Sequence, residues 1–162
     1  RGIPFVDLVH LRKTDVKHNT IYYYRHKTRQ QLSVHIESYA AQIINRYKNE
    51  AASSPYLLLI LSLTGEDGYR QYKSALRLYN QHLHTLSKML RLSIPLTSYV
   101  ARHSWATTAK DEGVAISVIS ESLGHTSEKV THVYLASFDN NAMSKANKKV
   151  IATIHPNKKK KP

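Results

Sequence analysis

Two glycines cut the region from residue 97 to residue 135 into short pieces, and this constrains the fold more than anything else in the chain. Apolar residues recur at helical spacing up to Gly113, again up to Gly124, and again from Ser127 onward. Glycine just past a periodic stretch is a helix stop, and Thr97, Ser98 and Ser127 are suited to starting one. The spacing predicts helices over 97–112, 114–123 and from 127 onward. Polar residues sit at the joints. Arg102-His103 lies on the first helix, Leu123-Gly124-His125 at the second stop, and Tyr134 nine residues past that histidine. Twenty-three residues separate Arg102 from His125, which suits two helices and a turn and is too far for a local metal clip.

Upstream, 5–11 has helical spacing behind Pro4, 15–19 reads as a turn, and 21–24 and 32–36 read as two strands of an antiparallel hairpin around the basic stretch 25–29. Ile36, Ala40, Ile43, Ile44 and Tyr47 mark one face of a helix. Residues 56–63 fit a buried helix or a strand equally, and 64–68 reads as a loop. A long helix is predicted over 72–92, with Leu76, Tyr79, Leu83, Leu86 and Leu90 inward. On the helix that carries Arg102, Val100, Trp105 and Ala109 are the expected core side, with Tyr99 and Arg102 sharing another face. A further helix is expected over 140–154. The fold class is therefore mainly α with a small antiparallel β-hairpin, in one domain over 1–155 followed by a basic tail at 156–162. The abrupt start at Arg1-Gly2-Ile3-Pro4 suggests a fragment of a longer protein.

Composition narrows the chemistry. The chain has no cysteine, so disulfides, thiolate metal sites and thiol nucleophiles are excluded. The net charge is +13, and removing the four lysines at 158–161 still leaves +9. Such an excess attracts polyanions, with nucleic acid foremost. The longest apolar run, 56–63, is too short to cross a bilayer, and a cytoplasmic location is expected. His82 and His84, two apart, do not converge on a metal from a helix.

Arg102-His103, the run Ser117-Val118-Ile119-Ser120-Glu121-Ser122-Leu123-Gly124-His125-Thr126-Ser127 and Val133-Tyr134-Leu135 together resemble the tyrosine recombinase (phage integrase) family, as its C-terminal catalytic domain. The likeness covers nearly the whole chain and is strongest over 97–138. It implies that Tyr134 attacks a DNA phosphodiester to give a 3′-phosphotyrosine, that Arg102 and His125 stabilise the phosphate oxygens, and that no metal, cofactor or ATP is required. It implies that Lys27, in the hairpin, protonates the leaving 5′-oxygen. Double-stranded DNA is the implied partner, contacted by Arg102, His103, Lys27 and Arg29, within a nucleoid-associated tetramer whose last helix docks on a neighbouring protomer or packs on its own domain.

Two positions depart from the family pattern. Tyr99 stands where a histidine is usual, and Pro4 stands where a first catalytic arginine is expected if Asp7 is the acidic residue of that motif. Arg1, or another basic residue, is the expected substitute. Three other readings fit parts of the chain: a helix-turn-helix regulator over 114–135, a degenerate integrase, and a type IB topoisomerase.

Overall fold

The computed structural model describes residues 2–93 and 95–136. The order is α1 (Phe5–Val9), a 3₁₀ turn at Lys13–Asp15, β1 (Val16–Lys17), β2 (Thr20–Tyr24), β3 (Gln31–His35), α2 (Ser38–Arg46), α3 (Gly65–Met89), α4 (Val100–Asp111), α5 (Ile116–Leu123) and α6 (Glu128–Ala136). The mainly helical class with a small antiparallel sheet is as the sequence predicts. The helix expected over 140–154, the tail and Arg1 lie outside the described residues.

The sheet has three strands in the order β1-β2-β3, one more than the predicted hairpin. Residues 15–19, read as a plain turn, hold β1 and a two-residue connection in which His18 and Asn19 both have positive φ (47° and 58°). Such a pair matches the twist of the flanking strands, and it sets the register Val16↔Ile21 and Lys17↔Thr20. Ile21, Tyr23 and Leu32 alternate onto the inner face and are buried with Leu11 and Ile36, while Tyr22 and Tyr24 point outward. Arg25 continues the inward alternation of β2 and is buried too.

A second cluster joins α1 to α3. Phe5, Val9, Tyr56 and Leu61 pack against Tyr72 and Leu76, and the Phe5 and Tyr79 rings stack at 4.9 Å. Residues 56–63 form neither a helix nor a strand; Tyr56 bridges Arg12, and Leu57 N–H donates to Leu11 O at 2.8 Å. Helix α3 starts at Gly65, seven residues before the predicted start. Gly65 and Gly68 read as breakers. Glu66 and Asp67 favour the helix N-terminus, and a side chain at 68 would collide with Leu63 O, 2.7 Å from a Cβ. Of the residues expected on its inner side, Leu76 packs inward and Tyr79 stacks on Phe5, whereas Leu86 and Leu90 are exposed. Asn80 and Ser87 instead hold the approach to α4, accepting from the N–H groups of Ser98 (2.8 Å) and Leu96 (2.6 Å).

Helices α4, α5 and α6 enclose the third cluster, Ala106, Ile119, Leu123 and Leu135, with Trp105, Ala109 and Tyr134 against it. Both glycine stops behave as predicted. Gly113 and Gly124 take left-handed φ (81° and 63°) and close paired turns, Val114 N–H to Ala109 O (2.9 Å) and His125 N–H to Ser120 O (3.0 Å). The buried face of α4 carries Ala106 and, one turn earlier, Arg102. An arginine thus points into the protein from a face that the sequence pattern had set apart from the core side of Val100, Trp105 and Ala109.

Candidate active site

The last carbonyls of a helix lack partners within it and carry its negative end. At the end of α5 two arginines meet them. Arg102, 3% exposed, donates through Nη2 to Leu123 O and through Nη1 to Gly2 O at 3.2 Å. Arg25, 6% exposed, donates through Nη1 to Gly124 O at 2.8 Å, and Thr28 Oγ donates to the same carbonyl at 3.2 Å. Gly124 is required twice here: its φ is left-handed, and a Cβ would lie 2.9 Å from Arg25 Cδ. Asp7 backs the arrangement from α1. Its buried carboxylate lies 3.8 Å from Arg25 Nε and accepts from His26 N–H at 2.9 Å, so it tethers the basic loop after β2.

A cleft of about 220 Å³ opens beside these groups, lined by Arg25, Lys27, Thr28, Tyr99, Arg102, His125, Thr126, Val130 and Tyr134. The structure therefore gathers Lys27, Arg102, His125, Tyr134 and Tyr99 in one place, from segments the sequence could relate only by spacing. Tyr99 sits at the rim, half exposed, as the residue before α4. Arg29 is exposed, has a positive φ of 57° and does not line the cleft. His103 lies beside the cleft lining, its ring parallel to that of Tyr134. Arg25 is the residue that sequence reasoning missed. Its signal was the two-residue alternation Ile21, Tyr23, Arg25, which places a charge on the buried face of β2.

The electrostatics follow from crowding of cations in a partly dry space. Burial, then repulsion from Arg25, lowers the Arg102 guanidinium, which stays charged regardless. Burial, then Arg102, Arg25 and Lys27, lowers His125 to about 4, so its ring is neutral at pH 7. Its tautomer is set by its neighbours. Arg102 Nη2, 3.4 Å away, can only donate, so Nε2 accepts and Nδ1–H donates to Thr131 Oγ1 at 2.8 Å. Burial raises the Tyr134 phenol, with Arg102 pulling the other way. Its Oη is buried without a hydrogen bond of ordinary geometry, while its ring stacks on His103 at 4.3 Å and 8° and meets the His125 ring edge-on at 5.6 Å.

These two histidines make stability depend on pH. Burial, then Arg102, also lowers His103. Folded values below the unfolded value of about 6.5 mean that the unfolded chain binds more protons as pH falls through 6.5 toward 4. Stability is then fully present above 6.5 and declines below it, by on the order of 1 kcal/mol at pH 5 after solvent screening. Melting curves at pH 7 and pH 5 should show a lower Tm at pH 5; an unchanged Tm would contradict the neutral, buried rings.

The sequence matches the phage integrase family over residues 5–141. The chain belongs to that family. Among solved structures, this integrase-family domain is similar to XerA recombinase, with a TM-score of 0.65 and 20% identity, over 95% of this chain and 53% of that chain. It therefore spans about half the length of that recombinase. The catalytic domain of bacteriophage HP1 integrase also matches, with a TM-score of 0.48 and 19% identity, over 91% of this chain and 74% of that one. No curated protein sequence gave a significant match. The likeness to XerA recombinase shows the shared fold, and the family match carries the assignment. Among the described residues no helix is long and apolar enough to cross a membrane.

Proposed function

We propose that this domain cleaves and rejoins double-stranded DNA through a covalent 3′-phosphotyrosine on Tyr134. The observation that carries the reading is the single cleft in which a tyrosine oxygen, two buried arginines, a lysine and a histidine converge. Arg102 and Arg25 bring planar donor forks to the non-bridging oxygens of a phosphodiester, where charge accumulates in the transition state. Arg25 takes the place of the arginine that Pro4 does not provide. As the Tyr134 Oη–phosphorus bond forms, the bond to the 5′-oxygen breaks. The phenol releases one proton to water and Lys27 delivers one to the leaving oxygen, then regains it from water, so protons balance. The phosphoester linkage is conserved, and a 5′-hydroxyl from another strand can reverse the step without ATP.

Neutral His125 starts as an acceptor from Arg102. A bound phosphate would draw Arg102 toward itself and favour the protonated ring, turning Nε2 into a further donor. Exchange between two duplexes needs one cut per strand, so the working unit is a tetramer on DNA that serves integration or excision of a mobile element. The excess positive charge suits that partner, and the nucleoid in the cytoplasm is its place of action.

The test is a nicked suicide DNA duplex in EDTA, on which the broken strand diffuses away. A denaturation-resistant protein–DNA adduct should accumulate, and the modified peptide should contain Tyr134. DNA binding with no adduct would leave a regulator or a degenerate integrase. Relaxation of supercoils without strand exchange would indicate a topoisomerase.

A further inference from the structure

His103 follows Arg102 on α4, so the two side chains leave the helix about 100° apart. Arg102 reaches the end of α5, while His103 faces α6. There its ring lies parallel to that of Tyr134, centroids 4.3 Å apart and planes within 8°. One turn earlier on α4 the Tyr99 ring lies 6.2 Å from His103 at 46°, and the His125 ring meets Tyr134 edge-on at 5.6 Å. Four rings thus form a chain of contacts, Tyr99 to His103 to Tyr134 to His125, and all but His103 line the cleft.

We infer that His103 is a positioning residue that fixes the plane of the Tyr134 ring, and with it the line along which Oη meets a phosphorus atom, without moving a proton itself. The inference rests on Tyr134 being the nucleophile. A tyrosine ring turns about a broad, soft torsion, and the Tyr134 Oη has no hydrogen bond of ordinary geometry to anchor it. Beside the pull of Arg102 on its oxygen, ring contacts aim it. Offset parallel stacking supplies about 0.5–1.5 kcal/mol of orientation-dependent attraction beyond area burial. In-line displacement is sensitive to aim, with a displacement of about 1 Å costing on the order of a hundredfold in rate. The same geometry argues against a proton-transfer role. The N–H bonds and lone pairs of imidazole lie in the ring plane, and with the planes parallel they run alongside the phenol instead of into its oxygen. Burial and Arg102 also keep this ring neutral, which removes the repulsion an imidazolium would bring to the clamp.

The experiment compares His103→Phe, which keeps a flat stacking ring and cannot titrate, with His103→Leu, which keeps volume without a flat face. At saturating suicide duplex, His103→Phe should form adduct within about threefold of the wild-type rate, with the same pH profile. His103→Leu should be slower on the order of tenfold to a hundredfold, with the duplex still saturating. If Phe fails as badly as Leu and a limb of the pH profile disappears, His103 carries a proton and the inference is overturned. Wild-type rates in His103→Leu overturn it as well. A second readout needs no DNA: the flip rate of the isotope-labelled Tyr134 ring by NMR should rise in His103→Leu and stay near wild type in His103→Phe. Equal flip rates in all three proteins would refute the positioning role even if wild type forms no adduct. Absence of adduct in wild type together with a faster flip in His103→Leu would fault the proposed function alone.

Discussion

Tyr134→Phe is expected to abolish the covalent DNA adduct entirely while leaving the fold intact or slightly more stable. The substitution removes one oxygen and keeps the ring, so the stack on His103 and the packing against Leu123 and Leu135 survive. The oxygen it removes is buried without a well-formed hydrogen bond, a situation that ordinarily costs about 1–3 kcal/mol. Deleting it relieves part of that cost, against a smaller loss from the pull of Arg102 on the phenol. Adduct yield on the suicide duplex should drop below detection, DNA affinity should hold, and Tm should stay level or rise. Retained adduct would move the nucleophile to another tyrosine, with Tyr99 at the rim as the first to examine. A large fall in Tm would mean that Oη is a structural anchor and not a group held ready for chemistry.

Arg25→Gln is expected to slow adduct formation by on the order of a hundredfold to a thousandfold, the usual cost of losing one charged or oxyanion-binding donor. It should also destabilise the protein. Asp7 is buried, and removing its cationic neighbour leaves its charge held by His26 alone; breaking a fully buried pair costs about 3–5 kcal/mol, an upper bound here. The two effects can be separated. Asp7→Asn combined with Arg25→Gln removes both charges and should recover much of the lost Tm, yet none of the lost rate. Recovery of both together would show that Arg25 matters only for the fold. Full activity in the single variant, measured below its melting temperature, would return the missing arginine role to Pro4's neighbourhood.

Helix ends were the features most legible in the sequence. Gly113 and Gly124 have left-handed φ, which side chains resist, so a glycine after an apolar-periodic stretch is a direct physical signal. The hairpin strands were readable from alternation at Ile21, Tyr23 and Leu32. The third strand was not, because two residues are too short to show a period. The start of α3 was hidden by Gly65 and Gly68, which look like breakers until the contact of residue 68 with Leu63 O is known. Arg102, His125 and Tyr134 were singled out by spacing and Lys27 by resemblance, and the cleft brings all four together because each sits at a fixed point of a helix end or hairpin. Arg25 was not, because a charge inside the basic stretch 25–29 reads as solvated. Only the tertiary approach of Gly124 and Asp7 explains its burial.

The hydrogen bonds that hold the two guanidinium groups join residues far apart in the chain: Arg102 to Gly2, one hundred positions away, and Arg25 to Gly124, ninety-nine away. Nothing local can assemble the clamp. A molecule with α1 peeled away would still carry Lys27, Arg102, His125 and Tyr134, yet would lose the contact from Gly2 to Arg102. On the function proposed here, tertiary structure is a licence: the cleft is complete only when the N-terminal segment and the hairpin have closed on α4 and the end of α5.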